Sequence, residues 1–286
     1  MRIAILGAGG QLGRALARRL PGWGHEPLIL REGKWDVTDP LILAQLVDLA
    51  PDGIINAAAM TNVDGCERDP EAAFRVNGLG AERVARAAAE LGAPLVHVST
   101  DYVFDGATDR PYTEDALPHP LSVYGASKLD GERRALAACP SAQVARTAWL
   151  YGLGGRHFVG RMIELADERG ALSVVTNEVG NPTFADDLAD AIGQLITHPV
   201  GGIFHLVNEG YASRYEFARA ILAASGRAQI PVTPAESFPR AARPPAFAPL
   251  ANTRAAALGI RLRPWQAALA AYLALVEGLR GRERLA

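Results

Sequence analysis

Ile3-Ala-Ile-Leu6, running at once into Gly7-Ala-Gly-Gly-Gln-Leu-Gly13 and then into an amphipathic stretch from Gln11 to Leu20, reads as strand, glycine turn and helix. In that context a glycine motif signals a dinucleotide site. Glycines let the backbone approach a pyrophosphate, which then sits on the helix N-terminus. Leu12 stands where G-x-G-x-x-G would need its last glycine, so Gly7, Gly10 and Gly13 form G-x-x-G-x-x-G instead. The flanking strand and helix weigh against a plain tight turn.

Working outward, short apolar runs alternate with helical ones. Leu28–Leu30 reads as the second strand, Thr38–Leu49 as a helix with Asp39 and Pro40 in its first turn, and Ile54–Asn56 as a strand running into Ala57-Ala-Ala59. Glu71–Leu91 reads as one long alanine-rich helix containing Asn77, and Pro94–Ser99 and Gln143–Ala148 as further strands. This rhythm implies right-handed βαβ crossovers and a parallel sheet covered on both faces, with ligands at the carboxyl ends of the strands. The glycine turn, Ala57–Ala59 and Ser99-Thr100 all fall at such ends. Arg31, Glu32 and Asp36-Val37 follow the second strand, and they leave the choice between NAD and NADP open.

Val96-His-Val-Ser-Thr-Asp-Tyr-Val-Phe-Asp-Gly106 leads through a proline-bearing loop to Tyr124-Gly-Ala-Ser-Lys128. Tyr124 and Lys128 stand at i and i+4, on one face of a helix. An ammonium beside a phenol favours phenolate and would lower its pKa, bringing the phenol toward acid–base work near neutral pH. A solvated surface lysine is the bland alternative. Composition argues against it, because Lys34 and Lys128 are the only lysines among 29 Lys+Arg residues. Wherever a generic cation serves, this chain uses arginine.

Past Trp149 the rhythm loosens. Helices are expected near Phe158–Glu168, Ala185–Ile196, Tyr215–Ala224 and Gln266–Gly278, and strands at Leu172–Val175 and Ile203–Val207. Pro231–Pro249 holds six prolines and reads as a long ordered loop. The expectation is an α/β chain with a Rossmann-type doubly wound parallel sheet, a dinucleotide-binding domain over residues 1–150 and a smaller substrate-binding lobe over 151–286. Some of the later segments are expected to return to the sheet.

With 286 residues, 49% of them hydrophobic and 21% charged, the chain needs no disulfide or metal staple. A net charge of −2 gives no electrostatic reason to expect nucleic acid or an anionic membrane as a partner. Cys66 and Cys139 are isolated, and the histidines show no metal-ligand spacing. No apolar run approaches the roughly 18 residues of a membrane span. The N-terminus enters a strand directly and leaves no room for a signal peptide. The expectation is a cytoplasmic protein without a metal site.

In this order the motifs resemble the extended short-chain dehydrogenase/reductase superfamily and, within it, the dTDP-4-dehydrorhamnose reductase family. The resemblance is carried by Gly9-Gly-Gln-Leu-Gly13, Asp36-Val-Thr-Asp39, Asn56-Ala-Ala-Ala-Met-Thr-Asn-Val-Asp64 and Ser99-Thr-Asp-Tyr-Val-Phe-Asp-Gly106. It continues through Tyr124-Gly-Ala-Ser-Lys-Leu-Asp-Gly-Glu132, Arg146-Thr-Ala-Trp-Leu-Tyr-Gly152 and Gly180-Asn-Pro-Thr183. The resemblance implies that Thr100, Tyr124 and Lys128 form the catalytic set. NADPH or NADH would deliver hydride to the C4 carbonyl of a dTDP-linked 6-deoxy-hexulose. Tyr124 would be the proton donor, Thr100 would hydrogen-bond the same oxygen, and Lys128 would hold the nicotinamide ribose and lower the pKa of Tyr124. It assigns Gly7, Gly10, Gln11, Leu12, Asp36, Val37, Ala57, Ala58 and Ala59 to the cofactor, with Gly13 from the glycine turn and Arg31 as a candidate for a 2′-phosphate. It assigns Thr61, Val63, Tyr102 and Trp149 to the sugar, and Arg243 to the nucleotide phosphates.

Two departures stand out. Ala15 occupies the place where some members carry a glutamate that helps bind magnesium at a dimer interface, so a monomer or a homodimer without metal is expected. Arg243-Pro-Pro-Ala-Phe-Ala-Pro249 departs from the polar run usual after Arg-Pro. Two alternatives remain. One is a reductase or epimerase of another nucleotide sugar. The other is a non-catalytic NADP-binding regulatory subunit of the methionine adenosyltransferase type, for which a poised phenol would serve no purpose.

Overall fold

The computed structural model describes residues 1–283, so the lobe expected over 151–286 runs three residues beyond it. In chain order the elements are β1 (Arg2–Leu6), α1 (Gln11–Arg19), β2 (Glu26–Leu30), α2 (Ile42–Leu49), β3 (Gly53–Asn56), α3 (Val63–Arg68), α4 (Pro70–Phe74), α5 (Gly80–Leu91), β4 (Leu95–Thr100), α6 (Val123–Ala138), β5 (Gln143–Thr147) and β6 (Leu150–Tyr151). They continue with α7 (Phe158–Arg169), β7 (Leu172–Val175), β8 (Val179–Gly180), β9 (Thr183–Phe184), α8 (Ala185–Leu195), β10 (Gly202–His205), β11 (Ala212–Ser213), α9 (Arg214–Ala224), β12 (Val232–Ala235), α10 (Thr253–Ala257) and α11 (Trp265–Glu283).

Six strands form one all-parallel sheet in the order β10-β5-β4-β3-β1-β2, as the alternating apolar runs imply. Residues of β1 point alternately to its two faces. Ile3 and Ile5 join a core with Leu12, Leu16 and Ile192 of α1 and α8. Ala4 and Leu6 join another with Ile42, Leu46, Val84 and Ala88 of α2 and α5. Strand order reverses between β1 and β3, and the crevice at their carboxyl ends is where such sheets take ligands. A separate aromatic-rich core gathers Tyr151, Phe184, Phe217, Trp265 and Tyr272 from the later elements.

Three differences from the sequence reading stand out. α2 begins at Ile42 rather than Thr38. The Asp36 carboxylate accepts from Thr38 N and Oγ1, and Asp39 from Leu41 N, so the chain turns on side-chain bonds before the helix starts. The single helix expected over Glu71–Leu91 is split by a π-turn at Arg75–Leu79, which contains Asn77. The Pro231–Pro249 loop holds β12, which pairs in parallel with β7. Among the described residues no helix is long and apolar enough to cross a membrane, and no group of three or more His, Cys, Asp or Glu side chains is placed to hold a metal ion.

Candidate active site

The first wall of the site is the glycine turn. Gly7 has φ +73°, and a Cβ there would lie 2.6 Å from the backbone of Ala57 and Ala58. A Cβ on Gly13 would meet the Gly7 carbonyl and the backbone of Ala8, so α1 can start this close to β1 only with glycine there. Gly10 caps α1 without any side-chain bond, and no acidic residue stands in the first turn. The helix therefore presents free N–H groups and the positive end of its dipole to the crevice. Gly10 is exposed, Gln11 half-buried with Nε2 on the carbonyl of Arg156 at 3.0 Å, and Leu12 buried. Ala57, Ala58 and Ala59 line the opposite side at the end of β3. Arg31 and Asp36 are exposed beyond β2, while Val37 is buried against Gly80.

The second wall is the end of β4. Thr100 Oγ1 accepts from Tyr102 N and donates to Asp101 Oδ1 at 2.9 Å, capping a short 3-10 turn over Asp101–Val103. α6 begins beside it, with Ser122 as cap and Glu67 accepting from Val123 N at 2.7 Å. Gly125 lets the first turn of α6 press on the Tyr102 carbonyl, where a Cβ would collide. This contact brings the rings of Tyr102 and Tyr124 to 5.4 Å, edge to face, with the Thr100 hydroxyl near enough to the Tyr124 phenol to act on it.

The electrostatics correct one expectation. Removal from water pushes the Tyr124 phenol above its usual range, and the Thr100 hydrogen bond only partly offsets this. Lys128 is not among the leading influences on it. The lysine is buried, its Nζ donates to the Val98 carbonyl at 2.7 Å, and burial brings it down to about 8 against the pull of Glu132. An i, i+4 spacing puts two residues on one face but leaves a long side chain free to turn toward a nearer acceptor. Asp101 is pushed up to about 6 by burial, which outweighs its bond from Thr100 and the charge of Arg214. Its Oδ2 has no hydrogen-bond partner among the described residues.

Beneath this end of the sheet, Glu132 takes a double hydrogen bond from Arg146 at 2.8 and 2.6 Å and a third from Ser99 Oγ at 2.5 Å. The pair is nearly sealed, at 1% and 2% exposure. It ties α6, β4 and β5 together one residue away from Thr100.

The third wall comes from loops. Asn77, in the π-turn, accepts from Met60 N at 2.8 Å and donates to Met60 O and to Ser127 Oγ, which holds the segment leading to exposed Thr61 and to Val63 against α6. Trp149 has φ +45°, a strained value for a non-glycine residue. Its indole packs so closely on Gly180 that a Cβ there would lie 2.6 Å away, and the Arg214 guanidinium lies 3.5 Å from its ring centroid. The loop of Arg243 is anchored by Ala242 N on Asp64 Oδ1 at 2.9 Å, and its side chain is exposed. The sequence reading assigned no role to Arg214, Asp101, Asn77 or Glu132. Asp101, Asn77 and Glu132 lie inside motifs it quoted or elements it placed, whereas Arg214 carries no local signal beyond its place at the start of a helix.

A family model described as RmlD substrate binding domain matches residues 1–277. The chain is 43% identical over 282 residues to dTDP-4-dehydrorhamnose reductase of Mycobacterium tuberculosis strain H37Rv, covering 96% of this chain and 92% of that protein. Among solved structures, a dTDP-4-dehydrorhamnose reductase from Clostridium acetobutylicum superposes with a TM-score of 0.92 at 38% identity, covering 97% of this chain and 100% of that one. Another from Bacillus anthracis, in complex with NADP, gives 0.90 at 35% identity, covering 95% and 98%. Agreement of this kind along almost the whole length means that the chain belongs to the RmlD substrate binding domain family and is an NAD(P)H-using oxidoreductase.

Proposed function

We propose that the chain reduces the C4 keto group of a dTDP-linked 6-deoxy-hexulose, converting dTDP-4-dehydro-L-rhamnose to dTDP-L-rhamnose. One observation carries the reading: the hydroxyls of Thr100 and Tyr124 meet at the carboxyl end of β4, on the same crevice as the glycine turn. The residues around that turn fit a dinucleotide. Gly7 and Gly13 leave a cradle that any Cβ would fill, and the uncapped start of α1 offers N–H groups to a pyrophosphate. Gly10, Gln11 and Leu12 with Ala57, Ala58 and Ala59 would hold its pyrophosphate end, and Arg31, Asp36 and Val37 its adenosine end.

When bound, the reduced nicotinamide supplies the hydride. The protein's own contribution is a loaded acid and a fixed geometry. With its pKa held high, Tyr124 is fully protonated at working pH, which suits a proton donor in the reducing direction. As charge develops on the C4 oxygen, Tyr124 gives it a proton while Thr100 turns its hydroxyl from Asp101 to the same oxygen. Lys128, with one of its three N–H groups on Val98, has others to give to ribose hydroxyls. Thr61, Val63, Tyr102 and Trp149 shape the space for the sugar ring.

The test is absorbance at the reduced-nicotinamide band, with purified protein, NADPH or NADH and enzymatically generated dTDP-4-keto-L-rhamnose. Oxidation of either cofactor is the expected result. Cofactor binding without oxidation would turn the reading toward another nucleotide sugar, and then toward the regulatory-subunit alternative.

A further inference from the structure

Arg214 is held rigidly at its backbone. Ser213 and Glu216 cap α9 reciprocally, and Arg214 N donates to the Glu178 carbonyl at 3.0 Å. Its side chain is 16% exposed, with the guanidinium 3.5 Å from the Trp149 ring centroid and 4.9 Å from that of Phe158. Among the described residues its one ion pair is Nε to Glu178 Oε2 at 3.6 Å, beyond hydrogen-bonding distance, and the other Glu178 oxygen is taken by Arg240. A guanidinium carries five N–H donors, and none of these has a protein acceptor within hydrogen-bonding range among those residues. Asp101 and Tyr102, on the turn beside Thr100, are the other charged or titratable groups near enough to act on it.

Burial pulls Arg214 down to about 10, against the raising influence of Tyr102 and Asp101. A planar guanidinium stacked on an indole still presents its edge, and that edge matches the geometry of a phosphate or carboxylate. Arg243, to which the family resemblance assigned the nucleotide phosphates, is exposed.

We propose that Arg214 donates to phosphate oxygens of the nucleoside diphosphate carried by the sugar, and that Arg214 and Trp149 form a single subsite joining the diphosphate to the sugar ring. The proposal rests on the nucleotide-sugar reading above. The strained backbone of Trp149 then has a purpose, because it holds the indole where it can support the cation on one face and close the sugar space with its edge.

The experiment is calorimetric titration of dTDP, and of thymidine as the phosphate-free control, into the NADPH complex of wild type, Arg214→Met and Arg243→Met. Loss of charge-assisted hydrogen bonds should weaken dTDP about ten- to a hundredfold in Arg214→Met. Thymidine and NADPH affinities should stay at the wild-type level, and Arg243→Met should bind dTDP like wild type. Wild-type affinity for dTDP in Arg214→Met would overturn the subsite and leave the nucleotide-sugar reading standing. Wild-type protein that binds NADPH but not dTDP would overturn that reading and the subsite with it. If Arg214→Met does not fold, Arg214→Gln carries the same expected and overturning results.

Discussion

Lys128 Nζ donates to the carbonyl oxygen of Val98 at 2.7 Å, on the strand that ends in Thr100. The bond holds the ammonium to the carboxyl-terminal part of β4, an inner strand of the sheet. The two side chains of the i, i+4 pair thus meet different neighbours, the lysine the Val98 carbonyl and the tyrosine Thr100 and Tyr102. Tyr102 against one face of Tyr124 and Thr100 at its hydroxyl complete the phenol's surroundings.

Tyr124→Phe removes the acid and leaves the ring packing in place. Turnover is expected to fall by about 10²–10⁴. NADPH affinity, measured by fluorescence titration, is expected to stay within about twofold, since the lost bond is made in the transition state. Equal turnover in wild type and variant would remove Tyr124 from the chemistry.

Lys128 titrates near 8 in the folded protein, against 10.5 for an ordinary lysine. Between those values the unfolded chain holds more protons, so this group makes stability rise with pH across that window, and its burial penalty is fully present below it. Lys128→Met should therefore melt at a higher temperature than wild type at pH 7 while binding NADPH more weakly. In wild type, NADPH affinity should fall as pH rises through about 8 and the ammonium is lost, with His97 and Glu132 as the other titratable groups at this side chain. An affinity profile that stays flat as pH rises through about 8 and well beyond it would contradict the role given to Lys128.

Gly7→Ala forces a Cβ to 2.6 Å from the Ala57 and Ala58 backbone at φ +73°. The strain alone is worth about 1–3 kcal/mol, and the collision adds to it. Denaturant unfolding should show the loss, accompanied by weaker NADPH binding. Gly9→Ala meets nothing within 4 Å, and its stability should lie within about 0.5 kcal/mol of wild type.

Glu132→Gln leaves the Arg146 guanidinium buried without its counter-charge, at a cost of about 3–5 kcal/mol in urea unfolding. The double change with Arg146→Met should recover part of that cost, because no bare charge is left in the core. A double variant less stable than Glu132→Gln would mean that the pair contributes more than the mutual neutralisation of two buried ions.

Where the fold was legible, local signals agreed with the global arrangement. The strand–glycine–helix start needed no tertiary knowledge, and Leu172–Val175 was bounded in sequence as it is in the structure. Tyr124 and Thr100 stood out in the sequence because they sit at element ends inside motifs. The π-turn at Asn77 was not legible, since helix-forming residues flank it and the extra residue leaves no periodic mark. The late start of α2 was hidden for a related reason: Asp36 and Asp39 bond to backbone just beyond themselves and so compete with the helix. Arg214 acquires meaning only from Trp149, Glu178 and Asp101, which lie far from it in the chain. The direction of the Lys128 side chain was settled by the nearest acceptor, on a strand that spacing along α6 cannot see.

The pairing of β10 with β5 has a consequence for how the molecule can be made and divided. The strand that completes the sheet is supplied by residues 202–205, after α7, α8 and the small strands between them have been traversed. A fragment stopped before Gly202 would leave β5 with a row of unpaired N–H and C=O groups, an edge that invites pairing with another chain. During synthesis, too, the sheet stays open on that side until His205 has left the ribosome. The glycine turn, Thr100 and Tyr124 all precede it in the chain, waiting on a late arrival to close the sheet that carries them.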